Sequence, residues 1–184
     1  MLKRRQQSGK FIRLRPVSDW VVYRGQGVGD VHETKLRFPN GSTHTYSYIV
    51  KPPFVIVAAV KNGTIALVSQ HRFPYHRRVW ELVKGGMDAN ERPATAARRE
   101  LIEETGYRAK QLKKIGEFMV SPGYFNQTGY IYKATRLTSG VPVPECGGEC
   151  VEVRWVSLAA LPGMVRRKEI YDSTSIAAIS LLNI

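Results

Sequence analysis

Three glutamates are the first residues in this chain whose type and spacing could do chemistry. Glu100, Glu103 and Glu104 lie in the segment Gly85 to Tyr107, which reads GGMDANERPATAARRELIEETGY. On a helix, residues at i, i+3 and i+4 are neighbours, so the three carboxylates would crowd one side. Like charges at that spacing destabilise a helix by roughly 0.2–0.5 kcal/mol per pair, and something should offset the cost. A hard divalent cation is the natural candidate, because Mg2+ takes oxygen ligands and keeps several waters. Arg98 and Arg99 offer another route, with Arg99 placed to pair with Glu103 at i, i+4. Three glutamates alone are more often a solvated helix face than a site. Ala94, Ala97 and Leu101 form an adjoining apolar stripe expected to face a core.

The wider pattern decides between these readings. Gly85, five residues, Glu91, seven residues, Arg99-Glu100-Leu101, one residue, Glu103-Glu104, one residue, Gly106 and Tyr107 resembles the signature box of the Nudix family. All seven fixed positions are present, and Tyr107 stands where an aliphatic residue is usual. The resemblance implies hydrolysis of a nucleoside diphosphate linked to another moiety, with Mg2+ or Mn2+ as cofactor. It implies Glu100 and Glu104 as the main metal ligands, Glu103 close behind, and the backbone carbonyl of Lys84 completing the set. Glu91 and Arg99 resemble the supporting ion pair of the box, and Gly85 and Gly106 its fixed glycines. A bound metal would neutralise pyrophosphate charge, lower the pKa of a water and hold it in line with a phosphorus.

Three features outside the box resemble the ADP-ribose and nucleoside-diphosphate-sugar pyrophosphatase group. Gln70-His71-Arg72 is similar to its Gln-x-Arg, whose arginine contacts phosphate, and a bidentate guanidinium suits that task. Trp80 to Gly85 is similar to its Glu-Leu-Pro-x-Gly stretch, with Val83 in place of the proline. Ser121-Pro122-Gly123 is similar to the Ser-Pro-Gly that follows its box, although Asn126 and Gln127 occupy the region where an acid is common. Arg72, Glu81, Ser121, Pro122 and Gly123 are therefore the expected substrate-binding residues. The group often takes its general base from a mobile loop before a late strand. That loop corresponds to Pro142 to Cys150, which makes Glu149 the first catalytic candidate, Glu145 the second, and Glu103 inside the box the third. Glu152 alternates with Val151 and Val153 and reads as a surface carboxylate. Cys146 and Cys150 read as free thiols, because two ligands do not make a structural zinc site. His71 and His76 read as structural or surface residues, since magnesium-type sites prefer oxygen.

These residues need elements to hold them. Residues 93 to 105 form the clearest helix, with Pro93 in the first turn and Gly106 where a C′ glycine belongs. Val55 to Val60 and Ile65 to Gln70 flank Lys61-Asn62-Gly63, where Asn-Gly favours a tight hairpin. Trp80 to Val83, Ile115 to Val120, Gly129 to Thr135 and Val151 to Val156 read as further strands, and Leu158 to Lys168 and Thr174 to Leu182 as helices. Before them, Asp19 to Tyr23, Val31 to Phe38 and Thr43 to Val50 read as a small antiparallel sheet with a Pro39-Asn40-Gly41 turn. The fold class is α+β, and the resemblance makes it a Nudix fold, a mixed sheet sandwiched between helices, with an N-terminal antiparallel β arm. The expected division is a basic, flexible tail over 1–15, a β-rich dimerisation arm over 16–51 and a Nudix hydrolase domain over 52–184. The resembled group pairs two subunits through the N-terminal sheet, so a homodimer is expected. Tyr46, Tyr48 and Phe38 are candidates for stacking a base, with structural packing equally open.

Composition narrows the alternatives. The chain has 184 residues, 43% of them hydrophobic, which is ordinary for one globular domain with an arm and excludes disorder throughout. No apolar run approaches the roughly 20 residues of a membrane span. No apolar h-region follows the basic N-terminus, so no secretory signal is expected, and a cytoplasmic location is the default. The net charge of +13 favours phosphate-rich partners. The expected substrate is ADP-ribose or a related nucleoside diphosphate sugar, cleaved to a nucleoside monophosphate and a sugar phosphate. An RNA-directed Nudix pyrophosphohydrolase is the alternative that the basic tail supports, although nucleic acid is not the favoured partner. A nucleotide-sugar-sensing module is the non-catalytic alternative, which the intact glutamate array argues against.

Overall fold

The computed structural model describes residues 14–25, 27–141 and 152–182. The general-base candidates Glu145 and Glu149, both cysteines and most of the basic tail lie outside the described residues. In chain order the strands are β1 (Arg15–Gly25), β2 (Gly29–Arg37), β3 (Thr43–Val50), β4 (Phe54–Lys61), β5 (Thr64–Arg72), β6 (Arg77–Glu81) and β7 (Val83–Gly86). They continue with β8 (Arg108–Met119), β9 (Phe125–Asn126), β10 (Thr128–Thr138) and β11 (Glu152–Ser157). The helices are α1 (Pro93–Thr105), α2 (Leu161–Arg166) and α3 (Ser173–Ser180).

Two compact units divide these elements. The smaller comprises the described residues up to Lys51 together with Gly123–Asn126. It is a sheet of order β1-β2-β3-β9, antiparallel except for the short β3–β9 pairing. Gly41 adopts φ +87°, the left-handed conformation that the Pro39-Asn40-Gly41 turn requires. Asp19 organises the sheet's polar face, accepting hydrogen bonds from Thr34 and from Tyr48 Oη (3.2 Å) and pairing with His32 Nδ1 at 2.9 Å. Tyr46 donates to the Gly123 carbonyl, so its hydroxyl serves this unit's own structure.

The larger unit holds a mixed sheet of order β11-β5-β4-β10-β8, with β6 added to β5 and β7 to β4. β10 and β4 are parallel and the other pairings antiparallel. Val55 to Ala59 and Ile65 to Val68 have no exposed surface, as a continuous apolar run requires when both faces of a strand are covered. Alternation along β4 splits the core in two. Val55, Val57 and Ala59 join Ala96, Ala97 and Leu101 of α1, whereas Ile56 and Ala58 join Leu161 and Met164 of α2 and Ala178 and Ile179 of α3. The sheet thus lies between helices, as the α+β Nudix reading expects.

Several details differ from the sequence reading. Ala96, not Ala94, completes the buried side of α1, because Ala94 lies in the exposed first turn. The stretch from Trp80 to Val83 divides between β6 on β5 and β7 on β4. The expected helix from Leu158 becomes a 3₁₀ turn, Leu158–Ala160, followed by α2, whose start carries Pro162.

Candidate active site

Helix α1 delivers the glutamates. Pro93 sits in its first turn, and at its end Gly106 (φ +73°) donates its amide to the Ile102 carbonyl at 2.8 Å. Glu100 is buried, and Glu103 and Glu104 are half-buried. Strand β7 runs against this surface. A Cβ on Gly85 would lie 2.0 Å from Glu100 Cδ and 2.1 Å from both its oxygens, so a bare backbone is what lets the carboxylate approach.

Arg99 gathers the remaining carboxylates. It donates to Glu91 through Nε (3.1 Å) and Nη2 (3.0 Å), and to Glu100 Oε1 (2.7 Å) and Glu103 Oε2 (3.0 Å) through Nη1. Nη2 also reaches the Gly86 carbonyl at 2.8 Å, tying the loop to the helix. The hydrogen-bonded Arg99 holds the Glu91 carboxyl below its ordinary range, and Glu91 in turn raises the pKa of Arg99. Arg98 turns away and donates to the Ala109 carbonyl at 2.6 Å.

Glu104 has a different environment. Its Oε1 accepts from Gln70 Nε2 at 2.7 Å and its Oε2 from the Lys84 amide at 3.2 Å. Burial, then the charge of Glu100, push its pKa up to about 8, against the opposing pull of the Lys84 amide, Arg72 and the Lys84 charge. Gln70, on β5, keeps its Oε1 buried without a hydrogen-bond partner.

A chain of charges continues from there. Arg72 holds Glu81 bidentately, Nε to Oε1 at 3.0 Å and Nη2 to Oε2 at 2.5 Å. The Glu81 side chain is only 2% exposed, and Lys84 Nζ also approaches its Oε2 at 2.9 Å. Lys84 Nζ meets Asp172 Oδ2 at 2.8 Å and Thr174 Oγ1 at 3.2 Å. Asp172 caps α3 by accepting from the Ser175 amide at 2.8 Å, and Ser175 Oγ accepts from the Leu82 amide at 2.9 Å. Burial works against the Asp172 charge, but Lys84, Thr174 and the Ser175 amide bring its pKa below the ordinary value.

The structure therefore brings Lys84, Gly85, Glu91, Arg99, Glu100, Glu103 and Glu104 together and connects them to Arg72 and Glu81. Glu81 is committed to Arg72 and Lys84. Ser121 and Pro122 begin the turn after β8, closed by the Val120 amide donating to the Gln127 carbonyl at 3.2 Å, and Gly123 follows in the smaller unit. Glu152 is exposed at the start of β11. Sequence reasoning gave no role to Gln70, Asp172, Ser175 or the Lys84 side chain. An available signal was Asp172 three residues ahead of Ser175 before an apolar helix, a capping pattern.

Among the described residues no three Asp, Glu, His or Cys side chains converge as a ready-made metal cluster. The donor chemistry nevertheless fits a hard cation. Glu100, Glu103 and Glu104 supply oxygen alone, the Glu100–Glu104 repulsion is what a cation would relieve, and the orphaned Gln70 Oε1 is one more oxygen beside Glu104.

A model of the NUDIX domain matches residues 51–174. The chain belongs to the Nudix hydrolase family. An ADP-ribose pyrophosphatase of Bacillus subtilis (strain 168) is 32% identical over 177 residues, 95% of each chain. A methanol dehydrogenase activator of Bacillus methanolicus is 28% identical over 180 residues, 96% of each chain. A solved structure of an ADP compounds hydrolase superposes with a TM-score of 0.84 over 94% of each chain, at 21% identity, which supports the fold. The family generally uses divalent metal ions, which agrees with the oxygen donors gathered on α1.

Proposed function

We propose that this Nudix hydrolase cleaves the pyrophosphate bond of ADP-ribose or a related nucleoside diphosphate sugar with Mg2+ or Mn2+. The products are a nucleoside monophosphate and a sugar phosphate. The observation that carries the reading is the α1–β7 arrangement, with Glu100 against the bare Gly85 backbone and Glu104 between Gln70 and the Lys84 amide. The ADP-ribose pyrophosphatase relative, aligned over nearly the whole chain, supports the substrate class.

Glu100 and Glu104, with Glu103 and the Lys84 carbonyl, would hold the cation. When bound, it supplies charge neutralisation and a more acidic water. Arg99 keeps Glu91, Glu100 and Glu103 in register and draws the Gly86 carbonyl to the helix, so the donors are positioned before substrate arrives. Arg72, held flat by Glu81, presents its guanidinium to phosphate oxygens. Ser121 and Pro122 begin a turn of the larger unit that would border the substrate. Glu149 would take the proton from water, with Glu145 and Glu103 as the alternatives.

The protein would act as a cytoplasmic homodimer. Val17, Trp20, Val22 and Tyr23 of β1 expose apolar side chains that a second N-terminal sheet could cover. Among the described residues no helix is long and apolar enough to cross a membrane.

The deciding experiment is a substrate screen with Mg2+ and with Mn2+ over ADP-ribose, nucleotide sugars, dinucleotides and capped or 5′-triphosphate RNA. Release of AMP and ribose 5-phosphate from ADP-ribose is expected. Turnover of RNA ends alone would overturn the reading.

A further inference from the structure

Three oxygens surround the Lys84 ammonium: Glu81 Oε2 at 2.9 Å, Asp172 Oδ2 at 2.8 Å and Thr174 Oγ1 at 3.2 Å. An ammonium has three hydrogens to give, and the side chain is only 14% exposed, so Lys84 is committed inside the protein. Glu81 also receives Arg72, through Nε on Oε1 at 3.0 Å and through Nη2 on Oε2. Arg72, Glu81, Lys84 and Asp172 thus alternate in sign along one line of ion pairs. We propose that Asp172 is a positioning residue for the phosphate grip: by holding Lys84 it leaves Glu81 to orient Arg72. The inference rests on the pyrophosphatase reading above, in which Arg72 meets phosphate, and adds how a residue of the α3 cap governs that contact.

Capping alone does not account for a carboxylate at this position. Asn and Ser cap helices about as well as Asp and bring no charge. The Asp172 side chain is only 18% exposed, and a charge so enclosed is costly unless a counter-ion meets it. Its Oδ2 accepts from the Ser175 amide at 2.8 Å and from Thr174 Oγ1, and an amide oxygen would serve both donors. Among the described residues, the contact that calls for a negative charge is the one with Lys84.

Removing that charge would redistribute the other three. Among the described residues Lys84 would keep only Glu81 as a carboxylate partner, and two cations would then compete for one anion. A bidentate guanidinium takes both oxygens of a carboxylate. With Lys84 drawn fully onto Glu81, Arg72 gives up part of that grip, and the plane of its guanidinium is no longer fixed. Arginine recognises phosphate through that planar fork, so a loosened Arg72 binds the substrate less well. Asp172 therefore acts through two ion pairs, from the far end of the line.

The test compares wild type with Asp172→Asn and Asp172→Ser, which keep a capping oxygen and remove the charge. Melting curves check that both fold. Two quantities are measured: KM and kcat for ADP-ribose with Mg2+, and hydrogen exchange of the Arg72 Nε–H by NMR. KM should rise about fivefold with kcat within about twofold, as fits coupling inside one ion-pair network and a contact made in the ground state. Exchange at Arg72 Nε should quicken by a similar factor. In a Lys84→Met background the same replacements should change either quantity by less than about twofold, because the competing cation is gone. In an Arg72→Ala background they should leave KM unchanged. A cap with a purely structural role would lower the melting temperature without these background dependences. The proposal falls if Arg72 exchange is unchanged in both variants, if KM stays at the wild-type value, or if the KM increase persists without Arg72. A wild type that cleaves no nucleotide sugar, while Arg72 exchange still answers to Asp172, would uphold the positioning and sink the pyrophosphatase reading.

Discussion

Replacing Gly85 by alanine should disable the site through one methyl group. The backbone conformation of Gly85 is not left-handed, so alanine is allowed there on backbone grounds. The obstacle is the Glu100 carboxylate, whose carbon would lie 2.0 Å from the new Cβ. Either Glu100 must rotate away, giving up its 2.7 Å contact with Arg99, or β7 must shift from its pairing with β4 at Val55. Overpacking of this kind costs about 1–3 kcal/mol. For a chain of this size that lowers the melting temperature by roughly 2–4 °C per kcal/mol. The effect on turnover should be larger, because a displaced Glu100 removes charge from the proposed cation site. A fall in kcat of at least about 100-fold is expected. Gly86→Ala is the matched control, since a Cβ there meets nothing within 4 Å. The assay is kcat at saturating Mg2+ together with thermal denaturation of both variants. A Gly85→Ala protein with wild-type turnover, or two variants with equal defects, would refute the reasoning.

Other outcomes follow from the same geometry. The Glu104 pKa of about 8 lies above its ordinary 4.5, so the folded state of the metal-free protein holds that proton more tightly than the unfolded state does. Its stability should be greatest below pH 4.5 as far as this group is concerned, fall by at most about 1.4 kcal/mol per pH unit through the window, and level off above pH 8. Urea unfolding of metal-free wild type and Glu104→Gln across that window tests this, and a variant with the wild-type slope would contradict it. Arg72→Ala should raise KM for ADP-ribose about tenfold and lower the melting temperature by leaving Glu81 with Lys84 alone, whereas Arg72→Lys should recover more stability than affinity. Steady-state kinetics beside melting curves would show the split, and an unchanged KM would remove Arg72 from phosphate binding. Glu149→Gln should lower kcat by about 10²–10⁴-fold, the usual contribution of a general base. Metal titration should then match wild type, and a normal kcat would move the role to Glu145 or Glu103.

How much was legible in the sequence differs between the site's two halves. The α1 half was readable because helical spacing fixes neighbours locally. Glu100, Glu103 and Glu104 share a side, and Arg99 reaches Glu103 at i, i+4, whatever the rest of the chain does. The paired charges Glu91 and Arg99 are only eight residues apart, within reach of one turn and one loop. The other half is tertiary. Nothing in the local pattern of β5 states that Gln70 meets Glu104, 34 residues away, or that Lys84 meets Asp172, 88 residues away. Such pairs are set by the sheet order, in which β5 lies beside β4 and β7 is added to β4. The same distinction holds for the fold. The Asn62-Gly63 hairpin was readable because both residues must adopt positive φ, whereas the division of Trp80 to Val83 between two partner strands was not.

Asp172 shows why the tertiary half matters for chemistry. One carboxylate does three things at once: it caps α3, it neutralises Lys84, and through Lys84 it fixes the charge that Glu81 shares with Arg72. A second link from the same helix end, Ser175 to the Leu82 amide, holds the chain between β6 and β7. The segment that places the Lys84 amide on Glu104 and the Gly85 backbone against Glu100 is therefore positioned from two sides, by Arg99 of α1 and by the start of α3. A loop clamped in this way loses little entropy when substrate and cation are bound, which is the physical meaning of a preorganised site. The C-terminal helix, which carries none of the family's signature residues, thus positions the candidate site as much as the signature helix does.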